Sequence, residues 1–235
     1  MQALIFKIKL NSLYSIRIPF TWQSALTYPV LPPSAVIGLC ANALQRYKND
    51  KHPKEYLEKI EENILWAGSR LLGPCVIKSY TTSAITKWGD QVGGKFTNAL
   101  TRQFAYTKNL ECVVIFKENG IIDDLRVSLT TTPLICGDSE SSVIVEDYPE
   151  VEKAEKIEKM EEVETSFHVP FSNDIEILGE GGQIFLMHER CLKRDNSLYL
   201  RSYILPIREQ NGVVSPVSVK VHILKGDFVF YKIKD

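Results

Sequence analysis

Between Trp66 and Leu110 the chain sets six cations, Arg70, Lys78, Lys87, Lys95, Arg102 and Lys108, against one acid, Asp90. It interleaves them with Trp66, Tyr80, Trp88, Phe96, Phe104 and Tyr106. Cations neutralise phosphates and flat rings stack on unpaired bases, so the mixture suits sequence-tolerant binding of single-stranded RNA, each stacked base contributing roughly 1–3 kcal/mol. A surface loop with merely solvated charges is the plainer explanation of the same residues. Upstream, residues 11–33 carry Tyr14, Arg17, Phe20, Trp22 and Tyr28 with no helical period, more ring surface than a passive connection holds. Arg17 can take a phosphate and the rings can take unpaired bases. Equally, Phe20 and Trp22 can cover one edge of the core.

Cleavage of RNA would need a base and an acid about the 2′-hydroxyl and the leaving oxygen. His52 opens a charged helix, His168 precedes Val169-Pro170, His188 adjoins Glu189, and His222 lies on a strand's polar face. None is spaced to pair with a nucleophile or a metal ligand. Asp123-Asp124 lack a third ligand at useful spacing, so a metal nuclease has no support. Cys40, Cys75, Cys112, Cys136 and Cys191 are scattered and odd in number, which argues against zinc and disulfides and for small core residues in a reducing compartment. The expectation is no catalytic residue, no metal and no cofactor.

At 235 residues, 44% hydrophobic and 24% charged, the chain can bury a substantial core. The net charge of −1 hides an asymmetry: residues 1–110 hold 14 Lys and Arg against 6 Asp and Glu, and residues 111–235 hold 14 against 23. A basic first half suits a polyanion, although sequence halves need not become faces. No apolar run approaches the ~18 residues of a membrane span, and the start lacks a signal peptide's basic front, so the expected location is the cytoplasm, without membrane contact.

Several elements must position these residues. Leu4, Phe6, Ile8 and Leu10 alternate as a half-buried strand. Pro29, Pro32 and Pro33 make the approach to a helix extended, Ser34 is placed to cap it, and Val36, Leu39, Cys40, Ala43, Leu44 and Tyr47 form its buried stripe. Gly38 within it is either a close backbone approach or a tolerated glycine. Residues 52–65 read as an amphipathic helix with Pro53 in its first turn and Tyr56, Ile60 and Ile64 on one stripe. Residues 79–96, with hydroxyls, glycines and little apolar period, fit an extended hairpin leaving the body. Residues 110–117 and 121–136 read as two strands around Glu118-Asn-Gly-Ile121, because Asn-Gly is a strong hairpin signal. The segment 146–164, with nine acids and three lysines, reads as an exposed insertion or linker that would repel RNA. Residues 167–235 return to strands.

The run Leu31-Pro-Pro-Ser-Ala-Val-Ile-Gly38 after a strand and an aromatic loop, and the later Leu129 to Pro133 followed by Cys136-Gly-Asp-Ser-Glu-Ser-Ser-Val143, resemble the CRISPR-associated protein 5 family of the RAMP superfamily. The resemblance spans most of the first ~150 residues, a length suited to one globular unit. It implies an α+β fold: a ferredoxin-like, RRM-related domain over 1–145 with a β-hairpin thumb at about 79–97, the acidic insertion at 146–166, and C-terminal strands over 167–235 packed on the first domain. It implies a non-catalytic subunit of a type I Cascade that holds the 5′ handle of the CRISPR RNA in antiviral defence. Its partners would be that handle, the backbone subunit whose filament it caps, the large subunit, and target DNA indirectly through the complex. Compact length and the lack of a nuclease constellation point toward a type I-A form. Phosphate contacts and stacking are assigned to Arg17, Trp22, Ser34, Lys78, Lys87, Trp88, Lys95 and Arg102. Two alternatives stand beside this reading: a metal-independent endoribonuclease that processes precursor RNA, as one branch of the family does, and a protein-only assembly subunit.

Overall fold

The computed structural model describes residues 1–21, 24–88, 95–117, 120–137, 141–157, 161–179, 181–191, 199–224 and 230–234. Over these residues the fold is mixed α+β, mostly sheet with three helices. The expected first strand forms at Gln2–Leu10 and buries Leu4, Phe6, Ile8 and Leu10. It pairs antiparallel with Asn109–Phe116, which pairs antiparallel with Ile64–Leu71. Along its other edge it meets Glu150–Ile157 at one end and Ser142–Val145 at the other.

Helix α1, Pro33–Lys48, is the organising element, touching helix α2 (Pro53–Asn63), helix α3 (Ile122–Thr131), the central strands and Gln183–His188. Near its middle it is buried beyond one stripe: Ile37 and Ala41 are buried alongside Val36, Leu39, Cys40, Ala43 and Leu44. Tyr47, expected on that stripe, is 46% exposed because the helix outruns its neighbours there. Ser34 does not cap the helix. Pro32 holds the cap position and Pro33 is the first helical residue, its fixed φ suiting the first turn, so the helix starts two residues earlier than a Ser34 cap would require. Gly38 meets the Cys191 sulfur at ordinary contact distance and no crossing backbone. Helix α2 starts on a capping box, the His52 imidazole accepting from Lys54 N–H while Glu55 reaches back to the His52 amide.

The second strand expected over 121–136 is instead helix α3 followed by the two-residue strand Leu134–Ile135. Ile122, Leu125 and Leu129 fall on one helical stripe and are buried, while Asp123 and Asp124 sit in the first turn, where carboxylates favour the amide dipoles. The threonines that suggest a strand are accommodated by back-bonding: Thr130, Thr131 and Thr132 hydroxyls donate to the carbonyls of Arg126, Val127 and Ser128. The acidic segment also differs from the solvated stretch its charge suggests. Glu150–Ile157 is a strand between Gln2–Ile5 and Phe230–Lys234, with Ala154 buried. Glu161–Thr165 pairs with Val219–Ile223, which pairs with Ile175–Leu178. That small sheet turns Val219, Val221 and Ile175 inward and Glu162, Glu164 and Glu176 outward.

Four cysteines are buried in the core as expected. Cys191 is not one of them: its residue surface is exposed, although its thiol is tucked against α1 and donates to the Ser34 carbonyl at 3.0 Å. Among the described residues no helix is long and apolar enough to cross a membrane.

Candidate nucleic-acid interface

The basic and aromatic stretch folds into a long antiparallel hairpin, Cys75–Trp88 against Lys95–Tyr106. Opposed residues in such a ladder share a face, and so do residues two apart along each strand. The register sets Val76 opposite Tyr106, Lys78 opposite Phe104, Tyr80 opposite Arg102 and Thr82 opposite Leu100. Lys78, Tyr80, Arg102, Phe104 and Tyr106 therefore occupy one side of the hairpin. Their side chains touch: the Tyr80 and Phe104 rings meet edge to face at 5.7 Å, and the Arg102 guanidinium lies over the Phe104 ring at 5.0 Å. Tyr80 and Tyr106 are about half exposed, at 50% and 47%, and Lys78 is exposed. Neither strand contains an acid. The other side, with Ala105 buried and Thr81 and Thr101 hydrogen-bonded to each other, carries neither charge nor ring over the same span.

The aromatic loop lies along the free edge of Lys95–Tyr106. Tyr14 exchanges both backbone hydrogen bonds with Ala105, Ser24–Ala25 pairs in parallel with Thr101 and Arg102, and the Thr27 amide donates to the Gln103 side chain. Tyr14 is fully buried, its hydroxyl donating to the Pro29 carbonyl at 2.6 Å. Arg102 joins loop and hairpin by donating from Nε to the Ser15 hydroxyl at 3.2 Å. Arg17 is exposed on this loop and braces it, donating to the Thr21 carbonyl at 2.9 Å and more weakly to its hydroxyl. The turn at Gly137, where φ is +80°, packs beneath; a Cβ there would stand 2.7 Å from the Ser15 carbonyl oxygen, so only glycine fits.

Of the eight residues singled out in the sequence, the structure brings Arg17, Lys78 and Arg102 onto this hairpin and its flanking loop. Lys87, Trp88 and Lys95 hold strand positions on the hairpin, Trp88 opposite Lys95, and their side chains lie outside the described part. Trp22 lies outside the described residues. Ser34 does not join them: it sits half-buried in the first turn of α1. Arg70 and Trp66, counted in the same basic stretch, serve the body instead. Arg70 pairs with Glu111 at 2.5 Å and stacks on Phe167 at 4.9 Å, while Trp66 packs against Phe167 and His168. Sequence reading did not select Tyr80, Phe104 and Tyr106 as binding residues. The signal that identifies them is parity: in a hairpin of this register the even-numbered positions share Lys78's face.

The model of the family "CRISPR-associated protein (Cas_Cas5)" matches residues 4–156, a span that includes the loop, α1, the hairpin and α3. The chain belongs to this family of CRISPR-associated proteins. In structure it is similar to a CRISPR protein from Archaeoglobus fulgidus, at TM-score 0.63 and 20% identity over 99% of this chain and 95% of that one. A chain of a CRISPR RNA-guided surveillance complex is similar at TM-score 0.46 and 13% identity, over 93% and 91%. A chain of a type III-B Cmr-beta complex bound to cognate target RNA and AMPPnP is similar at TM-score 0.47 and 11% identity, over 92% and 86%. No curated protein matches the chain in sequence.

Proposed function

We propose that this chain is the non-catalytic subunit of a type I CRISPR effector complex that holds the 5′ handle of the CRISPR RNA. It would act in the cytoplasm in antiviral defence, cap the backbone filament next to the large subunit, and meet target DNA only through the complex. The observation that carries the reading is the acid-free hairpin face on which Lys78, Tyr80, Arg102, Phe104 and Tyr106 converge. Such a face supplies phosphate neutralisation and stacking without base-specific hydrogen bonds, as a structural RNA handle requires. Family membership supports the biological setting. The fold is read as ferredoxin-like. In support, once α2, the projecting hairpin and the two-residue strands are set aside, the elements up to Val145 run strand, helix, strand, strand, helix, strand, and the sheet order Ser142–Val145, Gln2–Leu10, Asn109–Phe116, Ile64–Leu71 matches the 4-1-3-2 order expected of that class.

The test is binding of a labelled single-stranded repeat-handle RNA across a potassium chloride series. Affinity should fall steeply as salt rises, and Lys78→Ala with Arg102→Ala should weaken it about a hundredfold at low salt. Affinity that is absent or flat with salt would point to a protein-only assembly role. Specific cleavage of repeat RNA in EDTA would overturn the non-catalytic part.

A further inference from the structure

Phe20 has a conformation that packing does not explain. Its φ is +62°, a left-handed backbone that a bulky L-residue adopts only under constraint, and its side chain is 77% exposed. An apolar ring held outward at a backbone cost covers no edge of the core, so the structural role open to it in the sequence is absent. The constraint is visible around it. Arg17 donates to the Thr21 carbonyl, the Thr21 hydroxyl donates to the Ile18 carbonyl at 3.2 Å, and the Ile18 amide donates to Leu26 at 2.9 Å. The turn is thus fastened on both sides of Phe20 while its ring stays free of the fastening.

We propose that Phe20 is a base-stacking residue for single-stranded RNA, placed beside the cationic face of the hairpin so that the strand leaving that face ends its stack on this ring. Three observations favour an unpaired base. The loop carrying Phe20 is paired to the hairpin edge through Ser24–Ala25, and Arg102 of the cationic face reaches Ser15 of the same loop. An exposed cation, Arg17, stands three residues away in the same turn, where it can take a phosphate beside a stacked base. The preset left-handed turn removes ordering cost at binding, and a flat ring accepts any base. This inference rests on the RNA-binding reading above.

The experiment compares the full chain with Phe20→Gly, Phe20→Leu and Phe20→Trp by RNA titration and thermal unfolding. RNA carrying 2-aminopurine at successive positions locates the contact. Phe20→Gly should weaken RNA binding about tenfold, leave the salt slope unchanged, and raise Tm by about 2–4 °C, because glycine adopts this φ freely. Phe20→Leu should also weaken binding, Phe20→Trp should restore it, and one 2-aminopurine position should lose its quenching in the glycine variant. If wild type and Phe20→Gly bind RNA equally, the inference fails while the hairpin reading stands. If Phe20→Gly loses only its association with a neighbouring subunit, the ring is a protein anchor and the inference is overturned. If the wild type itself does not bind RNA, both readings fail together; if Lys78→Ala and Arg102→Ala weaken binding while Phe20→Gly does not, only this inference fails. A fall in Tm for Phe20→Gly would assign the ring a packing role and overturn the proposal.

Discussion

At the scale of single residues, burial keeps several titratable groups in their neutral forms, and two of them, His168 and Cys191, lie outside the interface. His168 is 2% exposed, lies between Trp66 at 5.4 Å and Tyr203 at 5.0 Å, and has no hydrogen-bond partner on either ring nitrogen among the described residues. Burial pushes its pKa down to about 4 from 6.5, which backbone groups at Ser69 and Ala67 offset only in part. The unfolded chain therefore binds a proton that the folded chain refuses, and stability rises with pH across that window. It should be complete above pH 6.5 and fall by about 3 kcal/mol as pH drops to 4. Urea midpoints at pH 4.5 and 7.5 should differ more for wild type than for His168→Phe, and equal differences would refute the claim. Gly68 completes this cluster: a Cβ there would stand 2.3 Å from the Trp66 ring and 2.8 Å from His168, so Gly68→Ala should lower Tm by several degrees through overpacking. Cys191 illustrates the same burial logic. Its thiol is pushed up to about 12 by burial and by the Glu61 charge, so alkylation at pH 8 should be slow in the folded chain despite the exposed residue surface. Labelling of one thiol within minutes would contradict the tucked geometry.

At the scale of elements, the hairpin is a two-faced object, and its chemistry is testable by face. Tyr80→Ala or Phe104→Ala should each cost about tenfold in RNA affinity, whereas Thr81→Ala and Thr101→Ala, one position away on the opposite side, should leave it within about twofold. Equal losses on both faces would mean that the substitutions act on hairpin stability rather than on contact. Much of this arrangement was legible in the sequence: alternation in residues 3–10, the proline-led helix, and the hairpin with its cations each follow from a local pattern. Helix α3 was not legible, because Asn-Gly followed by a threonine-rich run has the local marks of a hairpin. Only packing against α1 and the sheet, which buries Ile122, Leu125 and Leu129 together, selects the helical period. The acidic strands were hidden for a related reason. Three of the five residues of Glu161–Thr165 are glutamates, yet its partner Val219–Ile223 supplies the apolar face that makes half-burial sufficient. Phe20's outward position was unreadable because exposure is decided by the loop's pairing to the hairpin edge, a contact between residues far apart in sequence.

At the scale of the whole molecule, the split between a basic first half and an acidic second half does not become two opposed faces. Part of it is cancelled within the body, where Lys9 meets Glu146 at 3.2 Å, Lys48 meets Asp124, and Arg70 meets Glu111. The hairpin retains Lys78, Lys87, Lys95 and Arg102 with no acid in either strand, while the outward glutamates Glu162, Glu164 and Glu176 are gathered on a separate small sheet. Charges farther apart than the Debye length, about 8 Å at physiological salt, are screened from each other, so acids on a sheet separate from the hairpin's are expected neither to steer nor to repel RNA bound on the hairpin. Contact with four phosphates gives a logarithmic salt slope of about −3 for a single strand, and removing one cation should reduce it by about 0.7. Substituting Glu162, Glu164 and Glu176 together by glutamine should therefore raise the isoelectric point, leave that slope unchanged, and keep RNA affinity at 150 mM salt within about twofold. Lys78→Gln should do the reverse, lowering affinity and flattening the slope while altering the net charge by a single unit. A tenfold gain in affinity from the glutamine triple variant would show that the RNA path runs past the small sheet, and the interface would then have to be redrawn to include it.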